Sequence, residues 1–195
     1  MKRALLGLLL VVSVSCGDMV RQGTGSSYLS IERLEAASGA KPDEFDSVLA
    51  SDLVTVVDDR PTIFEDVGRV RFALRMKDPG SVESPTAPSP ANAITINRYH
   101  VRYFRADGHN RPGIDVPHPF DGAFTITVSE TAEATFTLVR IQAKREAPLS
   151  ELVASPAGVL STIAEVTFYG YDQAGREVIV KGNIGIDFAN WGDPE

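Results

Sequence analysis

The chain has 195 residues, 43% of them apolar and 23% charged, which is enough for one globular domain with a single core. Acidic residues outnumber basic ones 26 to 19, giving a formal net charge of −7, and this excludes attraction to nucleic acid or anionic lipid through the overall field. With Cys16 the only cysteine, no disulfide can form within the chain, so apolar packing has to carry the fold.

At the N-terminus Lys2 and Arg3 precede a continuous apolar run, Ala4 to Val12, and Ser13-Val14-Ser15 leads to Cys16-Gly17-Asp18. A membrane span needs about 20 apolar residues, and this run is too short. The layout is that of an export signal. With a cysteine at the cleavage point it resembles a bacterial lipobox, although Ser13 stands where a lipobox prefers Leu. The resemblance implies that residues 1–15 are removed, that Cys16 is lipidated, and that this lipid is the membrane anchor. Two or more acyl chains on one residue hold stably where one does not. Residues 16–27 are Gly- and Ser-rich and read as a tether, which also places Gly23-x-Gly25 outside any strand-turn-helix phosphate loop.

The pattern then alternates with period two, and residues 28–190 read as one β domain with a short tail, 191–195. Weak strands fall near Tyr28 to Leu34, Val48 to Ala50 and Leu53 to Val57. In "VRFALRMK", Val70, Phe72, Leu74 and Met76 share one face, and Arg69, Arg71, Ala73, Arg75 and Lys77 the other. In "ITINRYHVRYF" the apolar phase passes from Ile94 and Ile96 to Tyr99, Val101 and Tyr103, the slip that a β-bulge produces. "FTITV" (Phe124, Ile126, Val128) and "ATFTLVRI" (Phe136, Leu138), separated by a turn at Glu130 and Thr131, read as a hairpin.

Pro148 to Val153 is the one helix signal, with proline in its first turn. A second hairpin joins Ala164, Val166 and Phe168 to Val178, Val180, Ile184, Ile186 and Phe188 through Asp172 to Gly175. Two long loops, 78–92 and 107–122, separate strands. Seven to nine strands with almost no helix predict an all-β chain: an antiparallel β-sandwich, immunoglobulin-like in architecture, but without the Cys…Trp…Cys set of antibody domains. Trp191 is expected to cover one end of it.

Chemistry is sparse. There is no G-x-S-x-G elbow, H-E-x-x-H, Walker loop or C-x-x-C pair, so the expectation is a protein that is not an enzyme. Loop 107–122 gathers Asp107, His109, Asn110, Asp115, His118 and Asp121, oxygen-rich ligands of the kind calcium takes. The same residues are also ordinary turn formers, and no D-x-D-x-D spacing fixes a ligand set, so no cofactor is assigned and calcium stands as the alternative. His100, His109 and His118 recur every nine residues, without the cysteines or spacing of a zinc site. Arg69, Arg71, Arg75 and Lys77 form a basic face suited to an anionic glycan. Arg98, Arg102 and Arg105, with Tyr99 and Tyr103, extend it if the two strands pair. The plainer reading is that these charges guard an exposed sheet edge.

"RYHVRYFRADGHNRPGIDVPHPFDG", "REAPL" and "STIAEVTFYGYDQAGREV" together resemble a family of bacterial lipoproteins built on a single β-sandwich domain. That resemblance implies fold and envelope location and carries no activity. The expected protein is therefore an envelope lipoprotein, facing the periplasm or the outside, that displays a non-enzymatic domain to an envelope protein or glycan. A binding module for calcium or an anionic glycan is the alternative.

Overall fold

The computed structural model describes residues 25–155 and 158–191. Cys16, the apolar run before it and most of the tether lie outside the described residues. Eleven strands are described: β1 (Ser27–Ala37), β2 (Val48–Asp52), β3 (Thr55–Val57), β4 (Arg60–Thr62), β5 (Asp66–Met76), β6 (Ile94–Phe104), β7 (Phe120–Gly122), β8 (Ile126–Val128), β9 (Thr131–Val139), β10 (Leu160–Asp172) and β11 (Glu177–Ala189). Two short helices, α1 (Ile141–Arg145) and α2 (Leu149–Leu152), join β9 to β10. Among the described residues no helix is long and apolar enough to cross a membrane. The chain is all-β.

Nine of the strands make two sheets. The smaller has the order β1-β5-β9; the larger runs β2-β11-β10-β6-β7, with β8 also on β6; β3 and β4 form a separate hairpin. The two sheets face each other across one apolar core, and its centre is aromatic. Phe72 of β5 meets Phe168 of β10 edge-on at 5.0 Å, and Phe136 of β9 lies 5.1 Å from Tyr99 of β6 and 5.4 Å from Phe168. Edge-to-face rings gain a contribution beyond their buried area. Two of these rings lie over glycines on the neighbouring strand. Phe136 is registered with Gly68 and Tyr99 with Gly122, and a Cβ on either glycine would fall within 2.5 Å of the ring.

Much of the strand pattern is where the alternation puts it. Tyr169 opposes Arg98 while Gly170 opposes Ile96, so Asn97 is the extra residue of a bulge, and Ile96 and Tyr99 are both buried despite their odd spacing. β10 and β11 form the expected hairpin. Its turn is closed by Asp172, whose Oδ1 accepts from the Ala174 and Arg176 amides at 2.9 and 3.0 Å, with Gly175 at φ 74°.

Three expectations are corrected. Residues 124–139 form no hairpin: β8 pairs with β6 and β9 with β5, so Ser129 and Glu130 turn the chain from one sheet to the other. The Leu74 amide bonds the Glu130 carbonyl at 2.7 Å and fixes that corner. Period two names the buried face of a strand but not its partner, which is why the pattern misleads here. The sheets are not purely antiparallel, because β2 runs parallel to β11. Nearly the whole domain separates those two strands in sequence, so no tight turn dictates their direction. The strand read through Ile141 ends at Val139, and Ile141 opens α1.

Phe72 and Phe168 are fully buried at the meeting of the two sheets. Phe168→Ala and Phe72→Ala are each expected to cost about 3 to 5 kcal/mol in urea unfolding. A loss below about 1 kcal/mol, the range of surface changes, would invert the assigned faces.

Candidate functional site

Loop 107–122 is a set of local ion pairs. Asp107 accepts from both ends of the Arg105 guanidinium and from the His109 amide at 3.1 Å. Asn110 Oδ1 accepts from the Arg105 amide at 2.6 Å, closing the loop's first turn. Asp115 takes the Arg111 Nε at 2.8 Å, its second guanidinium nitrogen at 3.1 Å and its amide at 3.0 Å. These charge-assisted bonds hold the Asp115 carboxyl down to about 2 and also lower Asp107. Asp121 sits 3.2 Å from Nδ1 of His100 on β6. The ring of His118 packs over Gly113, where φ is 74° and a Cβ would fall 2.3 Å from Nε2. Each acid thus faces a basic partner of its own, and no three His, Cys, Asp or Glu among the described residues gather as a metal would require. The three histidines that recur every nine residues stand apart.

The basic face does not stand as a free face. Arg69 bonds Glu35 at 2.7 Å and lies 3.9 Å over the Phe45 ring, while Arg71 and Arg75 share Glu32 at 3.1 and 2.6 Å. The Lys77 amide bonds the Ser26 carbonyl at 2.9 Å. β5 is the central strand of its sheet, so these charges guard no edge; cross-strand pairing with β1 explains them. Arg98, Arg102 and Arg105 cannot extend the face, because β5 and β6 belong to different sheets. Arg98 stacks 4.2 Å over Tyr169, and Arg102 pairs with Glu165 at 3.5 Å. Tyr99 and Tyr103 belong to the core, where burial raises both phenols; the Tyr103 hydroxyl donates to the Leu138 carbonyl at 2.6 Å.

The strongest polar cluster is one that the sequence does not announce. Asp66, at the start of β5, and Lys144, in α1, are 0% and 1% exposed and meet at 2.7 Å. Lys144 also donates to the Asp52 carbonyl at 2.7 Å, Ser51 of β2 donates its hydroxyl to Asp66 Oδ2 at 2.6 Å, and the Gly39 amide donates to Oδ1 at 3.0 Å. Burial pushes the Asp66 carboxyl up, against the opposing pull of Lys144, Ser51 and Gly39.

Next to this cluster lies a cleft of about 420 Å³. Its walls are β2 and the loop 38–46, and its rim carries Phe45 and Trp191. Asp52 joins the two features: its carbonyl holds Lys144, while its carboxylate accepts from Thr55 and from the Trp191 amide at 3.1 Å. Trp191, 39% exposed, therefore lines the cleft at this end of the domain. Compared with protein-family models, curated proteins and solved structures, the chain matches none.

Lys144→Met, which leaves Asp66 buried without its cation, is expected to cost about 3 to 5 kcal/mol in denaturant unfolding. Replacing both partners by apolar residues, as in Asp66→Leu with Lys144→Met, should cost less than the sum of the single changes. The Asp115 carboxyl should titrate near pH 2 by NMR. A lowered carboxyl contributes its stability above the unfolded value and loses it as pH falls through the folded one, so the Arg111 pair should persist below pH about 3.9. In Arg111→Ala the midpoint should rise toward that ordinary value.

Proposed function

We propose that this chain is a cell-envelope lipoprotein, anchored through Cys16, which displays a non-enzymatic β-sandwich of immunoglobulin-like architecture for a structural or protein-binding role. The observation that carries the reading is the basic pair, short apolar run and Cys16-Gly17-Asp18 at the N-terminus. The two facing sheets support the architecture, and the resemblance of residues 98–122, 145–149 and 161–178 to single-sandwich lipoproteins supports the location. A scaffold with many of its surface charges paired side by side, and with loop 107–122 fastened back on itself, suits a display role better than one of turnover. Binding on such a scaffold belongs where a cleft and an exposed aromatic ring coincide, and that is the end of the domain at Trp191.

In Cys16→Ser the domain should leave the membrane fraction, or remain as an uncut precursor, and lose metabolic labelling with a fatty acid. A cleaved protein of normal size that still fractionates with membranes would overturn the anchor.

A further inference from the structure

β2 is the outer strand of the larger sheet, and its backbone directions can be read from its contacts. The Leu53 amide bonds the Ala189 carbonyl at 3.0 Å, so residues 49, 51 and 53 turn their backbone groups toward β11. Val48, Ala50 and Asp52 turn theirs away from it. The Asp52 carbonyl is taken by Lys144, and at the other end Asp46 exchanges both backbone bonds with Ala36 at 2.9 Å. Between these two closures the outward amides and carbonyls of Val48 and Ala50 meet no partner among the described residues. The loop 38–46 stands off there, and the cleft fills the gap.

Native sheets blunt exposed edges with charges, bulges or proline. Here the open stretch is Val48-Leu49-Ala50, with Val48 52% exposed. A carboxylate stands at each end on the same outward phase, Asp46 and Asp52, about 20 Å apart along the strand. Among the described residues neither is in an ion pair: Asp46 accepts from Ser47, and Asp52 from Thr55 and the Trp191 amide.

We infer that the outer edge of β2 accepts an extended segment of a partner protein as an added strand, one with apolar side chains opposite Val48 and Ala50 and a cationic side chain reaching each of Asp46 and Asp52. Backbone pairing supplies the affinity of such an addition and the alternate side chains supply its selectivity. A second copy of this chain fits less well, because β2 paired with itself about Ala50 sets Asp52 opposite Val48 and leaves both carboxylates without a cation. The inference rests on the protein-binding reading above and names the chemistry of the partner.

Trp191 is the chain's only tryptophan, so its emission reports on the cleft. The full chain, held in detergent, is titrated with the capped peptide Lys-Thr-Val-Thr-Val-Thr-Lys, which reads alike in both strand directions. A saturable change in Trp191 emission is expected, weakened about tenfold or more when both lysines are replaced by Glu, and abolished when alternate amides of the peptide are N-methylated. Ala50→Pro removes an amide that makes no bond to β11, so it should fold as the parent chain does and lose the response. No saturable response to the lysine peptide, or equal responses to the glutamate or N-methylated peptides, overturns the inference. Both comparisons use the unmutated protein and do not depend on the proline variant folding. The Cys16→Ser fractionation is independent of the titration, so failure of the edge and failure of the anchor are told apart.

Discussion

The contact between Asp66 and Lys144 ties together segments of the molecule that lie far apart in sequence. Asp66 begins the central strand of the smaller sheet, Ser51 lies on the edge strand of the larger one, Gly39 lies in the loop after β1, and Lys144 comes from α1. Taking two charges out of water costs several kcal/mol each, and their mutual attraction offsets this only when the remaining lone pairs and protons are also satisfied. Here a hydroxyl and an amide bond the carboxylate, and the Asp52 carbonyl accepts a second proton of the ammonium. Such a cluster tolerates one arrangement of its four segments and penalises the others, so it specifies geometry more than it adds stability. The position of β2, and with it the cleft, follows from that geometry.

Many other surface charges follow a simpler rule, in which they are met by the nearest strand or loop neighbour. Glu32 and Glu35 on β1 serve the arginines of β5, Glu165 serves Arg102 and Lys181, and the acids of loop 107–122 are answered by Arg105, by Arg111 within the loop and by His100 of β6. Pairs of this kind add little stability each, but they remove the free single-sign field that steers charged ligands. The carboxylates at the two ends of the open edge of β2, Asp46 and Asp52, instead accept from uncharged donors.

Alternation made the cores of β5, β6, β10 and β11 legible, and even the Asn97 bulge, because burying one face of a pleated strand forces period two on the sequence. What alternation cannot carry is partnership. It does not say that β8 and β9 part company, or that the arginines of β5 stand at the centre of a sheet and not at its rim. Lys144 was invisible for another reason: a lone lysine in "IQAKREAPL" reads as solvated unless its buried carboxylate, nearly 80 residues away, is known. Loop 107–122 drew attention by composition, yet its aspartates face arginines and a histidine close by. The cleft at Trp191 is made from segments distant in sequence and had no local signature.

The parallel pairing of β2 with β11 has a consequence for how the chain reaches this state. Residues 48–52 lie against residues 185–189, so an edge formed by some of the first residues of the domain is completed by some of the last. Contacts of such sequence separation pay their loop-closure entropy late and slow the search for the native topology. During synthesis, β2 has no neighbour in its sheet until β11 has emerged. The smaller sheet, β1-β5-β9, needs nothing beyond residue 139 and is free to assemble first, leaving the side of β2 that meets β11, at Leu49, Ser51 and Leu53, unpaired for the longest time.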